Sequence, residues 1–356
     1  MKKYDIAIIG GGLAGLTTAF HACKAGMSVV LLDRGSVGGG ASGGLVGALA
    51  PHMPEHWNEK KQYQFEAMAI SASFWGEVEA LSGLTTGYLR AGRLQNIFDE
   101  RGLEKALMRQ EAAKDSWQGV GEWTHCTDDH HPFASTPFGY VRDTLSAQIM
   151  PRDAVIALGK AVEVMGAEII ENFTARDITE NKIIGDWDIH AKNIVISAGH
   201  ASWPWVRKYM GADFGEGTKG QAAIIKPKQA WDFPMVTGDG FYIVPHRKDR
   251  LAVGSTSERY WKHLNVDAQL DAILKKVASD CPELQDAEVL EKWSGIRPRA
   301  FRPDPFIGNL ESRIFVNSGG FKTGFSFAPK LSQDLVGLIK GEDVSLPKGF
   351  TPHTMF

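Results

Sequence analysis

Asp5-Ile6-Ala7-Ile8-Ile9-Gly10-Gly11-Gly12-Leu13-Ala14-Gly15 decides the fold. The apolar run Ile6–Ile9 reads as a strand buried on both faces, the pattern of a parallel sheet. Gly10, Gly12 and Gly15 stand in the G-x-G-x-x-G spacing. A helical segment follows over Leu13–Ala25, and a second apolar run, Val29–Leu32, ends at Asp33. Strand, glycine turn, helix, strand and acid within about thirty residues form a dinucleotide-binding unit. Gly10 permits the tight turn, Gly12 lets a pyrophosphate reach the backbone, and Gly15 lets helix and strand pack closely. The helix N-terminus offers free N–H groups and partial positive charge to phosphates, and Asp33 can accept from a ribose diol. This unit alone does not separate NAD from FAD.

Gly35-Ser36-Val37-Gly38-Gly39-Gly40-Ala41-Ser42-Gly43-Gly44-Leu45-Val46-Gly47-Ala48 comes next. So many glycines cannot form a stable element interior, and their place directly after Asp33 suggests backbone pressed against a flat ligand rather than a free loop. Further along, Asn193-Ile194-Val195-Ile196-Ser197-Ala198-Gly199 is another buried strand whose small-residue end, at Gly199, admits a cofactor.

The 356 residues suffice for two cores. A formal net charge of −3 gives no electrostatic reason to expect nucleic acid. Cys23, Cys126 and Cys281 form no CxxC pair, so a reducing compartment and a cytoplasmic location are expected. Lys2 and Lys3 precede an apolar run, but Asp5 and the brevity of that run argue against a signal peptide. No apolar stretch approaches membrane-spanning length.

Helical periodicity predicts helices over Asn58–Leu81, Leu103–Ala113, from Met150 to Gly166, Val266–Ala278 and Ser326–Ile339, with Pro329 in the first turn of the last. Strands are expected over Ala167–Ile170, Phe173–Ile178, Ile183–Ile189, Gln221–Ile225, Gly240–Pro245, Arg250–Ser255 and Ile314–Asn317. Ser116–Phe138 reads as irregular, and its His125-Cys126-Thr127-Asp128-Asp129-His130-His131 run as a solvated loop, because its order fits no metal motif. No metal site is expected. The resulting plan is α/β. A Rossmann-like dinucleotide domain (1–85, 147–212 and 298–356) is interleaved with an α+β substrate domain (86–146 and 213–297) containing antiparallel sheet.

Seven pieces in order carry a family resemblance. They are Ile8–Gly15, Ala41–Ala48, Ile194–Gly199, Gly240–Pro245, Val253–Glu258, Trp293–Pro298 with Pro305-Phe306-Ile307-Gly308, and Gly319–Gly324 with Ala328-Pro329. On these the chain resembles, over nearly its whole length, the glycine oxidase and D-amino-acid oxidase family of FAD-dependent amine oxidoreductases, and looks most like the glycine oxidases. The resemblance implies FAD, held non-covalently because no cysteine stands near Ile296-Arg297. It implies that Leu13, Ala14, Asp33 and Arg34 hold the adenosine and pyrophosphate half, and that Ala175 meets the adenine through its backbone. Ala41, Ser42, Val46, Gly47 and Ala48 would lie along the flavin. Gly320, Phe321, Lys322, Thr323, Gly324, Phe325 and Ser326 would approach its pyrimidine end, where the closing helix dipole could stabilise negative charge.

An amino-acid substrate needs its carboxylate held. Arg297 is the first candidate, since a guanidinium pairs with a carboxylate through two parallel hydrogen bonds, and it matches the family's carboxylate-binding arginine. Tyr242 matches a family tyrosine lining the pocket, though a strand aromatic in the core is an equal reading. Lys322 stands where glycine oxidases have arginine, so a planar fork becomes a point charge. His52 could reach the flavin, but a structural role is preferred.

The implied reaction oxidises the amine of glycine, a D-amino acid or an N-substituted amino acid by hydride transfer to flavin N5. The imine hydrolyses to a 2-oxo acid, and electrons pass to oxygen or another acceptor. Two other readings stay open: an FAD-dependent oxidoreductase acting on an aminomethyl group of modified tRNA, and an NAD-dependent dehydrogenase. The oligomeric state is left open.

Overall fold

The computed structural model describes residues 3–354. Lys3–Ile9 lies at the centre of the first sheet, parallel to Val29–Leu32 on one side and Ile189–Ile196 on the other. Glu168–Ile170 extends the sheet beyond Val29–Leu32. Ile314–Ser318 extends it in parallel beyond Ile189–Ile196, and Phe306–Glu311 closes that edge antiparallel. Alternate residues of the central strand serve opposite faces. Ile6 and Ile8 pack with helices Leu13–Lys24, Glu59–Ser82, Pro151–Val164 and Gly324–Lys340. Ala7 and Ile9 pack with Trp203 and Val206 of helix Ser202–Met210. Burial on both faces is why the strand reads as a continuous apolar run.

The second sheet has the strand order Glu288–Ala300, Gly215–Lys226, Arg250–Gly254, Tyr242–Arg247, Met235–Thr237, Arg93–Asn96, Tyr140–Asp143, Trp123–Cys126. All neighbours are antiparallel except Met235–Thr237 with Arg93–Asn96. One face, with Ala223, Ile243 and Val253, packs under helix Ala268–Asp280 through Leu270 and Val277. The other face, with Ala222, Met235 and Val244, covers Leu45, Val46 and Ala48 of the glycine-rich segment. The chain leaves the first sheet for the second twice and returns twice, so the glycine-rich segment ends up between them.

Several expectations need correction. The closing helix starts at Gly324, so Pro329 sits inside it rather than in its first turn. His125 and Cys126 lie on strand Trp123–Cys126, not in a solvated loop, and His131 packs against Phe133 and Tyr140. The strands expected over Phe173–Ile178 and Ile183–Ile189 shrink to the hairpin Asp177–Thr179 and Lys182–Ile184, since Phe173 N–H donates to the Asp33 carbonyl and Thr174 N–H to the Asp186 side chain instead of to a strand partner. Helix Ser202–Met210 and strand Glu288–Ala300 carried no sequence expectation.

Candidate active site

The glycine turn is tight for stated reasons. Gly10 has φ +115°, and a Cβ there would meet the Ser197 carbonyl oxygen at 2.3 Å. A Cβ on Gly15 would come 1.9 Å from the Gly10 carbonyl oxygen, so Gly15 serves helix–strand packing. The Asp33 carboxylate clasps the turn, accepting from Gly11 N–H at 2.6 Å and Gly35 N–H at 2.8 Å. Each carboxylate oxygen retains acceptor capacity for a ribose hydroxyl. The Ser42 hydroxyl accepts from Leu13 N–H, at 2.9 Å, and so marks the anion position at this helix N-terminus.

One cavity of about 1050 Å³ runs from this turn to the second sheet. Its size lies at the top of the roughly 300–1,000 Å³ usual for small-molecule sites. Most residues given a cofactor or substrate role above line it, including Ala175, Gly199, Tyr242, Arg297 and Lys322. Gly15 does not, for the packing reason given, and within the glycine-rich stretch neither do Val37, Gly38 and Gly43. The far C-terminal segment folds back beside the glycine turn, with a Cβ on Gly324 falling 3.8 Å from Leu13 Cδ2.

At Gly47, φ is +72°, and a Cβ would come 1.9 Å from the Ile149 carbonyl oxygen, so this backbone is pinned at the cavity wall. His246 holds the preceding residue through a 3.4 Å contact with the Val46 carbonyl oxygen. Ser197 and Ser326 line the cavity with buried Oγ atoms that have no partner among the described residues. Orphaned hydroxyls, a glycine cradle and two helix N-termini facing one cavity fit a flavin dinucleotide.

At the other end, Arg297 Nη1 donates to the Thr256 carbonyl oxygen at 3.1 Å. Burial brings its pKa down to about 10, with the Glu258 charge opposing, so it stays a cation at neutral pH. Burial and then the neighbouring Arg297 charge lower Lys322. The two segments are tied by Phe321 N–H donating to the Pro298 carbonyl oxygen at 3.1 Å. His52 also lines the cavity. Its backbone N–H donates to Gln64 Oε1 at 2.7 Å, its ring contacts the same oxygen, and burial, followed by Lys60, lowers its pKa, leaving a neutral imidazole. Sequence reasoning missed Arg93, Thr237 and Trp293, which line the same cavity. Arg93 carried no signal beyond a charged residue opening a short polar run.

Among the described residues, no group of three or more His, Cys, Asp or Glu side chains could hold a metal ion. No described helix is long and apolar enough to cross a membrane.

The chain is 24% identical over 361 residues to glycine oxidase of Bacillus subtilis, covering 97% of this chain and 95% of the relative. It is 28% identical over 376 residues to glycine oxidase of Pseudomonas putida, covering 98% of each. Its fold superposes on the crystal structure of glycine oxidase from Geobacillus kaustophilus with a TM-score of 0.89, at 22% identity, over 99% of this chain and 98% of that one. Residues 5–337 match the model of the DAO family, described as FAD dependent oxidoreductase, and the chain belongs to that family.

Proposed function

We propose that this FAD-dependent enzyme oxidises the amine of glycine, a D-amino acid or an N-substituted amino acid whose carboxylate is held by Arg297. The observation that carries this is a guanidinium lining the cavity that makes no ion pair among the described residues, its hydrogen bond to Thr256 apart. An unneutralised guanidinium presents two parallel donors to a carboxylate. FAD, when bound, supplies the hydride acceptor. Arg297 fixes the carboxylate and thereby the direction of the α-carbon, Lys322 adds a second positive charge, and the Tyr242 hydroxyl offers a hydrogen bond. No strong protein base is needed for an amine that binds unprotonated, which suits a cavity whose His52 is neutral. The glycine oxidase relatives support glycine as the first substrate to try. They and the family match do not favour the tRNA-modifying or NAD-dependent readings.

We also assign 1–85, 147–212 and 298–356 to FAD binding and 86–146 and 213–297 to the substrate. In support, the first and second sheets draw their strands from those respective stretches, except that strand Glu288–Ala300 of the second sheet runs three residues past the boundary at 297. Oxygen or another carrier takes the electrons, and the three free cysteines support a cytoplasmic setting.

The test is an anaerobic screen of purified holoprotein. Bleaching of flavin absorbance by glycine, sarcosine or a D-amino acid is expected. No bleaching by any amino acid would overturn the proposal.

A further inference from the structure

Besides Arg34 and Arg297, the cavity wall holds a third guanidinium, one that amine oxidation does not require. Arg93 is 2% exposed, lies on strand Arg93–Asn96 and lines the cavity. Its Nε donates to Asp143 Oδ2 at 2.7 Å, while its Nη2 has no partner among the described residues. Asp143 is itself fully buried and is further held by Ser146, whose N–H donates to Oδ1 at 2.7 Å and whose hydroxyl donates to Oδ2 at 3.0 Å. A buried ion pair of this kind is a poor stabiliser compared with apolar packing. An arginine kept there with an unspent donor calls for an acceptor.

The sheet register shows what surrounds it. Arg93 pairs with Met235, Gln95 with Thr237, and Thr237 with Tyr242. Laterally paired residues and their i+2 neighbours share a face, so Arg93, Gln95, Thr237 and Tyr242 stand on the face that covers the glycine-rich segment. Thr237 Oγ1 and Gln95 Oε1 are likewise buried and unpartnered, and Thr237 and Tyr242 line the cavity with Arg93. The Tyr242 hydroxyl lies close enough to act on the Arg93 charge without satisfying Nη2 in good geometry. Two donors without a partner, Arg93 Nη2 and Thr237 Oγ1, therefore meet beside the Tyr242 hydroxyl at one place in the wall. This place is separate from Arg297, which sits on the edge strand Glu288–Ala300, five strands along the sheet from the interior strand that carries Arg93. Asp33, at the adenosine end, is the one carboxylate among the described lining residues.

We propose that Arg93, Thr237 and Tyr242 form a second acceptor-binding subsite, and that the preferred substrate is an amino or imino acid carrying a second carboxylate rather than glycine itself. This rests on the amine-oxidising assignment made above. The first carboxylate sits at Arg297 and Lys322, and the second takes the free donors of Arg93 and Thr237. Charge-assisted hydrogen bonds to a desolvated carboxylate are the strong class, worth roughly 10- to 100-fold in affinity.

Two readouts on the holoenzyme test it. The first is perturbation of the flavin spectrum by non-oxidisable acids, comparing malonate, succinate and glutarate with acetate. At least one dicarboxylate should bind about tenfold or more tighter than acetate, and Thr237→Val should erase much of that margin. Thr237→Val leaves the Arg93–Asp143 pair intact, so folding is not at stake; Arg93→Met combined with Asp143→Asn removes the pair without leaving a lone buried charge. The second readout is anaerobic flavin reduction by glycine, iminodiacetate, D-aspartate and D-glutamate. The ratio of dicarboxylate to glycine efficiency should exceed about ten and collapse in the double variant. Tight dicarboxylate binding without bleaching by any amino acid would keep the subsite and sink the oxidation. Bleaching by glycine with no dicarboxylate favoured in either readout overturns the subsite alone. A double variant that depresses all substrates equally also overturns it, and makes Arg93 a support for Tyr242.

Discussion

The Arg297 guanidinium lies face-on to the backbone of Gly220. A Cβ built there would come 2.0 Å from Nη2, 2.3 Å from Cζ and 2.4 Å from Nη1. Gly220 sits within strand Gly215–Lys226 opposite Gly295, and its φ is not in the left-handed region, so alanine suits the backbone. Gly220→Ala should therefore fold, retain FAD and push the guanidinium aside. The expected result is a KM for amino acids raised about tenfold or more with a smaller change in kcat, because ground-state and transition-state binding lose the same contact. Steady-state kinetics and the flavin spectrum check it.

Arg297→Lys keeps the charge and removes the planar fork. If the carboxylate is held by two parallel hydrogen bonds, KM should rise by about tenfold, equivalent to roughly 1.4 kcal/mol. The lysine variant should bind acetate more weakly by a similar factor in a flavin spectral titration. Unchanged values in both measurements would remove the bidentate contact.

Gly15 and Gly40 make a matched pair for the glycine-rich entry to the site. At Gly15 the obstacle is the backbone oxygen of Gly10 at 1.9 Å, which cannot swing away. At Gly40, φ is −92° and nothing lies within 4 Å of the position a Cβ would take. Gly15→Ala should cost more than about 2 kcal/mol and lower flavin occupancy, whereas Gly40→Ala should stay within about 0.5 kcal/mol. Urea unfolding and the ratio of flavin to protein absorbance measure both.

What the sequence made legible is what local physics specifies. Helix Glu59–Ser82 fell within a residue of its expectation because both ends are punctuated. The Asn58 side chain accepts from Lys61 N–H at 3.1 Å, and Gly83 takes φ +69°. The glycine turn was legible because its chemistry is contained in one short segment. Arg93 was not, because its strand has no apolar alternation and finds its partner Met235 far along the chain. Strand Glu288–Ala300 was hidden for a related reason. It lies at a sheet edge with Gly295 and Pro298 in it, and most of its residues are only half-buried, so neither face shows a clean pattern. Non-local pairing placed the substrate end of the cavity, and non-local pairing leaves little trace in a window of sequence.

His21 should give the folded holoprotein an acid-sensitive stability. Its ring stacks on Phe74 at 5.6 Å and meets Phe20 edge-on at 5.7 Å, and its Nε2 is buried without a partner. Burial, helped by the Lys24 charge and opposed by the Pro329 carbonyl and Glu77, holds its pKa down at about 4, against 6.5 for the free side chain. The folded state thus keeps the imidazole neutral where the unfolded chain protonates it. The contribution is complete above pH 6.5 and is lost as pH falls from 6.5 toward 4. Between pH 7.5 and 5 this amounts to about 2 kcal/mol. His21→Phe preserves the ring contacts and cannot take the proton. Urea unfolding at the two pH values should show the wild-type protein losing about 2 kcal/mol more than the variant, and parallel losses would show that His21 titrates normally in the folded protein.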